Sequence, residues 1–352
     1  MQDSAFDTQL YLKHQIRAFN KRIELYTAGP TVIEFGGKPF GDYHAQRVLP
    51  GYDADCKAQI LRELSDHCKI VMVVNARDII PRPTGRYNNG RLRGDSQLRY
   101  DSETLRLVRQ SQTFGFSISD VVLSVVPRCL SNNHADLLHK YRERLSNEGV
   151  TAHTHFEIPV YPDCSIIDDG ESAFGMNDIV ADGHCNLVVL SPGGGSGKFG
   201  VLLSEMYHML KKGVTPTFIK FETFPILRVK PSHPLNYAFE AATADLGNRV
   251  VSVTDISTSY DKDIENFELL QKLFAHLPAH PVTMMKNSSD MSVNEIIEGI
   301  TDIDKVVAAC AREIERRIQR YIREFQTGDE RQETVQRAQE IYTLFQAGEN
   351  YV

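Results

Sequence analysis

The sequence predicts an α/β protein made of two doubly wound parallel-sheet halves, Rossmann-like or P-loop-like, followed by a helical C-terminal segment. Three observations predict it. Short apolar runs alternate with helical patterns along most of the chain, the order that gives a parallel sheet covered by helices. The runs are uninterrupted, as in Ile70-Val71-Met72-Val73-Val74, which is what a strand buried on both faces requires. One run, Leu187-Val188-Val189-Leu190, leads through Ser191-Pro192-Gly193-Gly194-Gly195-Ser196-Gly197-Lys198 into a helix, the strand, glycine loop and helix of a phosphate cradle. The 352 residues suffice for about two such domains, with units expected at 1–160, 161–300 and 301–352.

In order, residues 8–26 carry an apolar stripe through Leu10, Ile16, Phe19 and Ile23 and read as a helix. Thr31-Val32-Ile33-Glu34-Phe35 is the first strand, stopped by Gly36-Gly37. A helix at 53–67 precedes the strand 70–74, a helix at 102–113 the strand 121–126, and a helix at 133–147 the strand 150–158. A Pro-, Asp- and Gly-rich connection spans 158–186. After the glycine loop, Leu202, Leu203, Met206, Met209 and Leu210 recur at helical spacing, and Thr217-Phe218-Ile219-Lys220-Phe221 is the next strand. A helix at 235–246, a strand at 250–253 and a helix at 263–274 follow. From Asp302 the pattern is helical, broken at Gly328.

Apolar residues make up 41% and charged residues 24% of the chain, the proportions of a globular protein. The net charge of −7 argues against broad nucleic-acid binding. No apolar run approaches the roughly 18 residues that span a bilayer, and the first residues lack the pattern of a secretory signal. A cytoplasmic location is expected, and a homo-oligomer is compatible with the sequence. The six cysteines are scattered without a C-x-x-C pair, so reduced thiols are expected. His153 and His155 share one face of a strand and could pair on a metal, although two packed histidines account for them as well.

The glycine loop departs from G-x-x-x-x-G-K-[ST] at both ends, where Pro192 and Phe199 stand. Phe199 cannot ligate Mg²⁺, and Ser204 lies too far along the helix to replace the missing hydroxyl. The expected phosphate cradle is Gly193, Gly194, Gly195, Ser196, Gly197 and Lys198. A second group follows the first strand, where ligands gather in open α/β sheets: Lys38, Asp42, His44 and Arg47. A third is the loop 78–101, whose Arg82, Arg86, Arg91, Arg93 and Arg99 make a cationic flap that can grip an anion, with Asp95 beside Arg93. A fourth comprises Lys220, Glu222, His233, Asn236 and Asp245. Glu222 is the first candidate to hold Mg²⁺ or activate an acceptor, and Asp245 the second.

The segments EFGGKPFGDYHAQRVLPG, RLRGD, SPGGGSGKFGVLLSEMYH and KFETFPILRVKPSHPLNYAFEAATADL, with the later SSDMSVN and Glu313-Ile314-Glu315-Arg316-Arg317, resemble a widespread bacterial family known only as domain of unknown function 1846. The resemblance runs over about residues 6–323. It implies that the groups above form one site, while assigning no reaction. The family pattern has proline where Gly194 stands and glycine where Ser292 stands. Members are typically longer, so the resemblance implies that a further C-terminal domain is lacking here.

Together these readings predict a nucleotide-binding protein: an ATP-dependent phosphotransferase using ATP or another nucleoside triphosphate with Mg²⁺, acting on a small anionic metabolite or nucleotide. Lys198, Glu222 and Asp245 would carry the chemistry. Arg93, His44 and Arg47 would position the acceptor. The alternatives are a non-catalytic nucleotide sensor or switch, an ATP-dependent ligase, and an oxidoreductase that grips a dinucleotide pyrophosphate.

Overall fold

Six apolar runs assemble into one parallel sheet in the order β4-β3-β2-β5-β1-β6. The strands are β1 (Thr31–Phe35), β2 (Cys68–Asn75), β3 (Asp120–Val126), β4 (Thr151–Phe156), β5 (Asn186–Leu190) and β6 (Thr217–Phe221). The computed structural model describes residues 4–26, 28–80, 98–159, 161–168, 170–181, 183–246, 259–277 and 280–348. The expected strand at 250–253 lies outside them. Strands from 1–160 and from 161–300 thus share one sheet, with β1 hydrogen-bonded between β5 and β6. This replaces the two separate sheets expected from the sequence. Strand order depends on which edges meet in space, and a linear alternation of elements carries no record of that.

Apart from the partly exposed edge strand β4, the sheet is buried on both faces, and side chains alternate between two cores as strand geometry requires. Ile33, Phe35, Ile70, Met72, Val74, Val188, Leu190, Ile219 and Phe221 face one core. Val32, Val71, Val73, Leu187, Val189 and Phe218 face the other. The first core receives the helices Thr8–Glu24, Cys56–Ser65, Tyr100–Thr113 and Asn132–Asn147. It also receives Ile303–Gln326 and Gln332–Ala347, through Ile314, Ile318, Ile341 and Phe345. The second is covered by the helices Lys198–Lys211 and Ser259–Leu273, through Leu202, Leu203, Met206, Leu269 and Leu270.

This division places the site. The chain leaves β1 for β2, passing β5 by way of the first face, and leaves β5 for β6, passing β1 by way of the second. Connections departing to opposite faces from adjacent strands open a crevice at their carboxyl ends, where ligands bind in open α/β sheets. Phe35-Gly36-Gly37 and Leu190-Ser191-Pro192 follow the two strands at that switch point.

Smaller differences have local causes. The helix expected at 235–246 stops at Ala242, where Thr243 turns its hydroxyl back onto the Phe239 carbonyl, 2.9 Å away, and a 3₁₀ turn, Ala244–Leu246, follows. The short helices Tyr43–Val48 and Ala76–Ile79 are too brief for periodicity to announce, and each is capped by its own Asx side chain, Asp42 or Asn75. Among the described residues, no helix is long and apolar enough to cross a membrane, and Cys56, Cys68, Cys129, Cys185 and Cys310 are free thiols.

Candidate functional site

Beyond β5 the glycine loop is held by its carbonyls. Gly193 O accepts from the Ser191 hydroxyl at 2.9 Å, Gly195 O from Asn75 Nδ2 at 3.0 Å, and Ser196 O from the Ser124 hydroxyl. In a trans peptide a carbonyl and the next amide point in opposite directions. Fixing Gly195 O and Ser196 O onto β2 and β3 therefore turns the Ser196 and Gly197 amides away from those strands. Gly197 has φ +82°, a left-handed cap that suits glycine, and the helix Lys198–Lys211 starts directly after it. Lys198 is buried. Its ammonium donates to Ser191 Oγ at 3.3 Å and lies 3.9 Å from Glu34 Oε1. Phe199 is buried against Phe218, so the position of the missing hydroxyl belongs to the core.

Strand parity supplies the rest. Glu34 and Lys220 are register partners on β1 and β6 and share the second face with Val32 and Phe218. Glu222, two residues on from Lys220, keeps the same sense. Lys220 Nζ pairs with Asp263 of the helix Ser259–Leu273 and lies 3.6 Å from Glu222 Oε2 and 3.8 Å from Glu34 Oε2. Gly36 makes room for this, because a Cβ there would lie 2.0 Å from Glu222 Cγ. Tyr161 closes one side, its hydroxyl donating to Asn266 Oδ1 at 3.3 Å.

The electrostatics follow from three carboxylates and two ammonium groups in a buried space. Burial pushes the Glu222 carboxyl up to about 7, with Asp263 and Glu34 adding to the rise and Lys220 opposing it. Burial acts to lower the Lys220 ammonium, but the Asp263, Glu222 and Glu34 carboxylates prevail and hold it above its ordinary value. Glu34 Oε2, Asp263 Oδ2 and the Ser196 hydroxyl are buried without a hydrogen-bond partner. Buried polar atoms are usually satisfied; Tyr11 Oη, Tyr52 Oη and His155 Nδ1, away from the loop, share this state.

Glu34, Glu222 and Asp263 are gathered on the Lys220 ammonium, which takes the place a cation would occupy. Among the described residues no trio of His, Cys, Asp or Glu is arranged to hold a metal. His153 Nε2 meets Asp120 Oδ1 at 2.7 Å while His155 Nε2 meets Asp178 O at 2.9 Å, so the two imidazoles serve packing.

The other anticipated residues are placed elsewhere. Asp42 caps the helix Tyr43–Val48 and meets the buried Lys57 ammonium at 2.7 Å; burial raises its carboxyl, but Lys57 outweighs this and brings it down to about 2. Lys38 is half-buried and near enough to contribute to that lowering. His44 and Arg47 are bound to Glu313 of the C-terminal helix Ile303–Gln326, at 3.2 and 2.7 Å. Asn236 clamps both backbone groups of Ile226, and His233 caps the helix Pro234–Ala242. Asp245 sits in the 3₁₀ turn, where its charge acts on Tyr321 and Arg320 of the C-terminal helix. Arg93, Asp95 and most of the arginine flap lie outside the described residues. Glu34, Asp263, Ser191, Asn75 and Ser124 were not anticipated. Parity with Val32 marks Glu34 as inward-facing, whereas no sequence signal links Asp263 or Ser124 to the loop. Two surface hollows of about 340 and 270 Å³ lie apart, lined by Arg109 and Arg144 and by Arg128 and Arg142.

The model of the N-terminal part of the domain of unknown function DUF1846 matches residues 4–346. The chain belongs to the DUF1846 family. Among its relatives, the UPF0371 protein cu0538 of Corynebacterium urealyticum is 36% identical over 319 residues, covering 89% of this chain and 61% of that protein. A UPF0371 protein of Streptococcus equi subsp. equi is 34% identical over 329 residues, covering 90% and 62%. A UPF0371 protein of Corynebacterium glutamicum is 35% identical over 319 residues, covering 89% and 61%. The chain thus spans about three-fifths of the length of these DUF1846 relatives.

Proposed function

We propose that this chain binds the phosphates of a nucleoside triphosphate at the glycine loop and transfers the terminal phosphoryl group to a small acceptor. The reading is carried by the outward turn of the Ser196 and Gly197 amides at a helix N-terminus, beside Lys198 and the unpartnered Ser196 hydroxyl. Backbone amides and a helix start favour an anion. Lys198 has only a 3.3 Å hydroxyl contact and a 3.9 Å carboxylate contact to exchange for a phosphate oxygen. The acceptor oxygen forms the new bond to the terminal phosphorus, the bond from that phosphorus to the bridging oxygen breaks, and Glu222 receives the acceptor's proton. A carboxyl held near neutrality is fitted to that task. Three carboxylates against two ammonium groups favour a neutral, hydroxyl-bearing acceptor over the anionic one expected from the arginine flap.

A second reading, a nucleotide sensor without turnover, is favoured by Phe199, which fills the core where a metal-ligating hydroxyl would stand. Thermal shift with ATP, GTP and pyrophosphate, each with and without Mg²⁺, tests the shared premise. Stabilisation that is lost in Lys198→Ala is expected, and the absence of any shift in the folded wild type refutes both readings. Phosphorylated product from a mixture of neutral acceptors separates the enzyme from the sensor.

A further inference from the structure

Asn75 and Ser124 stand outside the glycine motif, at the carboxyl ends of neighbouring strands, and are register partners across β2 and β3. Both reach the loop: Asn75 Nδ2 holds Gly195 O at 3.0 Å, and the Ser124 hydroxyl, buried and also 3.4 Å from Val74 O, holds Ser196 O. The loop rests directly on Ser124 and its neighbour, since a Cβ at Gly197 would lie 2.8 Å from Ser124 Oγ and 3.4 Å from Val125 Cγ2.

Val125 is strained. Its φ is +53°, the one positive value at a non-glycine among the described residues. A β-branched side chain is least at ease in that region. The register of β3 with β4 also slips between Leu123 and Val126. Nothing in local propensity asks for this conformation, and such outliers persist where surrounding structure imposes them, commonly at ligand sites.

We propose that Asn75 and Ser124 are positioning residues for a pyrophosphate-bearing ligand, and that Val125 is the strained joint that keeps Ser124 on the loop. The two clamps hold carbonyls inward so that the Ser196 and Gly197 amides face the diphosphate. No base-reading contact is required, and inorganic pyrophosphate is a sufficient ligand. The inference rests on the phosphate reading above.

Calorimetric titration of the full chain with pyrophosphate tests it, with melting temperature measured alongside. Ser124→Ala removes one clamp. Asn75→Ser removes the other while keeping an acceptor for the Arg77 amide, now 2.9 Å from Asn75 Oδ1. Each is expected to weaken pyrophosphate binding about tenfold, the worth of one oriented hydrogen bond, with the melting temperature little changed. Val125→Gly is expected to weaken binding without lowering the melting temperature, because glycine takes the left-handed conformation without strain but also leaves it freely, so Ser124 is no longer held on the loop. A merely structural role would move stability and binding together. If the wild type binds pyrophosphate and folded Ser124→Ala and Asn75→Ser bind it equally well, the positioning role is overturned alone. If the folded wild type binds no polyphosphate, the phosphate reading is overturned and this inference with it.

Discussion

Replacing Glu222 by glutamine should stabilise the protein at alkaline pH. The carboxyl titrates near 7 in the folded state against 4.5 in the unfolded chain. Between those values the folded state holds a proton that the unfolded state has released. Stability therefore falls as pH rises through that window and levels off above it. A shift of two to three units corresponds to about 3 kcal/mol. The side chain is still 18% exposed and keeps some hydration, so a gain of about 2–3 kcal/mol at pH 8 is the expected measurement. Glutamine resembles the protonated acid, so the advantage should shrink below about 1 kcal/mol at pH 5. Urea denaturation at the two pH values, with a check that the slope is unchanged, reads the difference. An equal destabilisation at both would mean that Glu222 is ionised throughout and paired with Lys220, and its role as proton acceptor would fall. Phosphoryl transfer, if the proposed function holds, should be lost in the same variant.

Other expectations concern the supports of the site. Glu313 is buried and accepts from Arg47, Arg316, Arg317 and His44. Glu313→Ala should cost about 3 kcal/mol by leaving the Arg47, Arg316 and Arg317 cations uncompensated, and the loss should appear in urea denaturation at neutral pH. Lys57→Met should cost about 3–5 kcal/mol, because the Asp42 carboxylate 2.7 Å away would be stranded. Adding Asp42→Asn should recover part of that loss in a double-mutant cycle. In the wild type, the Asp42 carboxyl lies at about 2 against an ordinary 3.8. Its contribution is complete above the ordinary value and is lost as pH falls toward 2, which acid titration of the Lys57→Met variant should show as a shallower decline.

Much of the architecture was legible because burial on both faces leaves a plain mark. A run such as Ile70-Val71-Met72-Val73-Val74 has no soluble alternative to an interior strand, and the helix beyond Lys198 shows its stripe in Leu202, Leu203, Met206 and Met209. The candidate site was legible only in part. Lys198, Lys220 and Glu222 stand together around Glu34, a grouping that the glycine motif and the end of β6 put within reach of the sequence without testing their role. Asp42, His44 and Arg47 looked equally chemical, yet they serve Lys57 and Glu313. A polar side chain in a loop reads the same whether its partner is a ligand or a helix 269 residues later, as Glu313 is from His44.

Taken alone, the amino-acid order determined the six described strands and the longer helices, where the glycine turn lies, and that a lysine opens the helix after it. These are local matters of periodicity and backbone freedom. Tertiary structure decided that β1 enters between β5 and β6, and thereby that Glu34 faces Lys220. It decided that Asp263 reaches the same ammonium, and that Asn75 and Ser124 hold the glycine turn by its carbonyls. Each of these joins residues far apart in the chain. Such contacts form only when whole layers pack, and the energy that selects them belongs to surfaces a linear pattern does not contain.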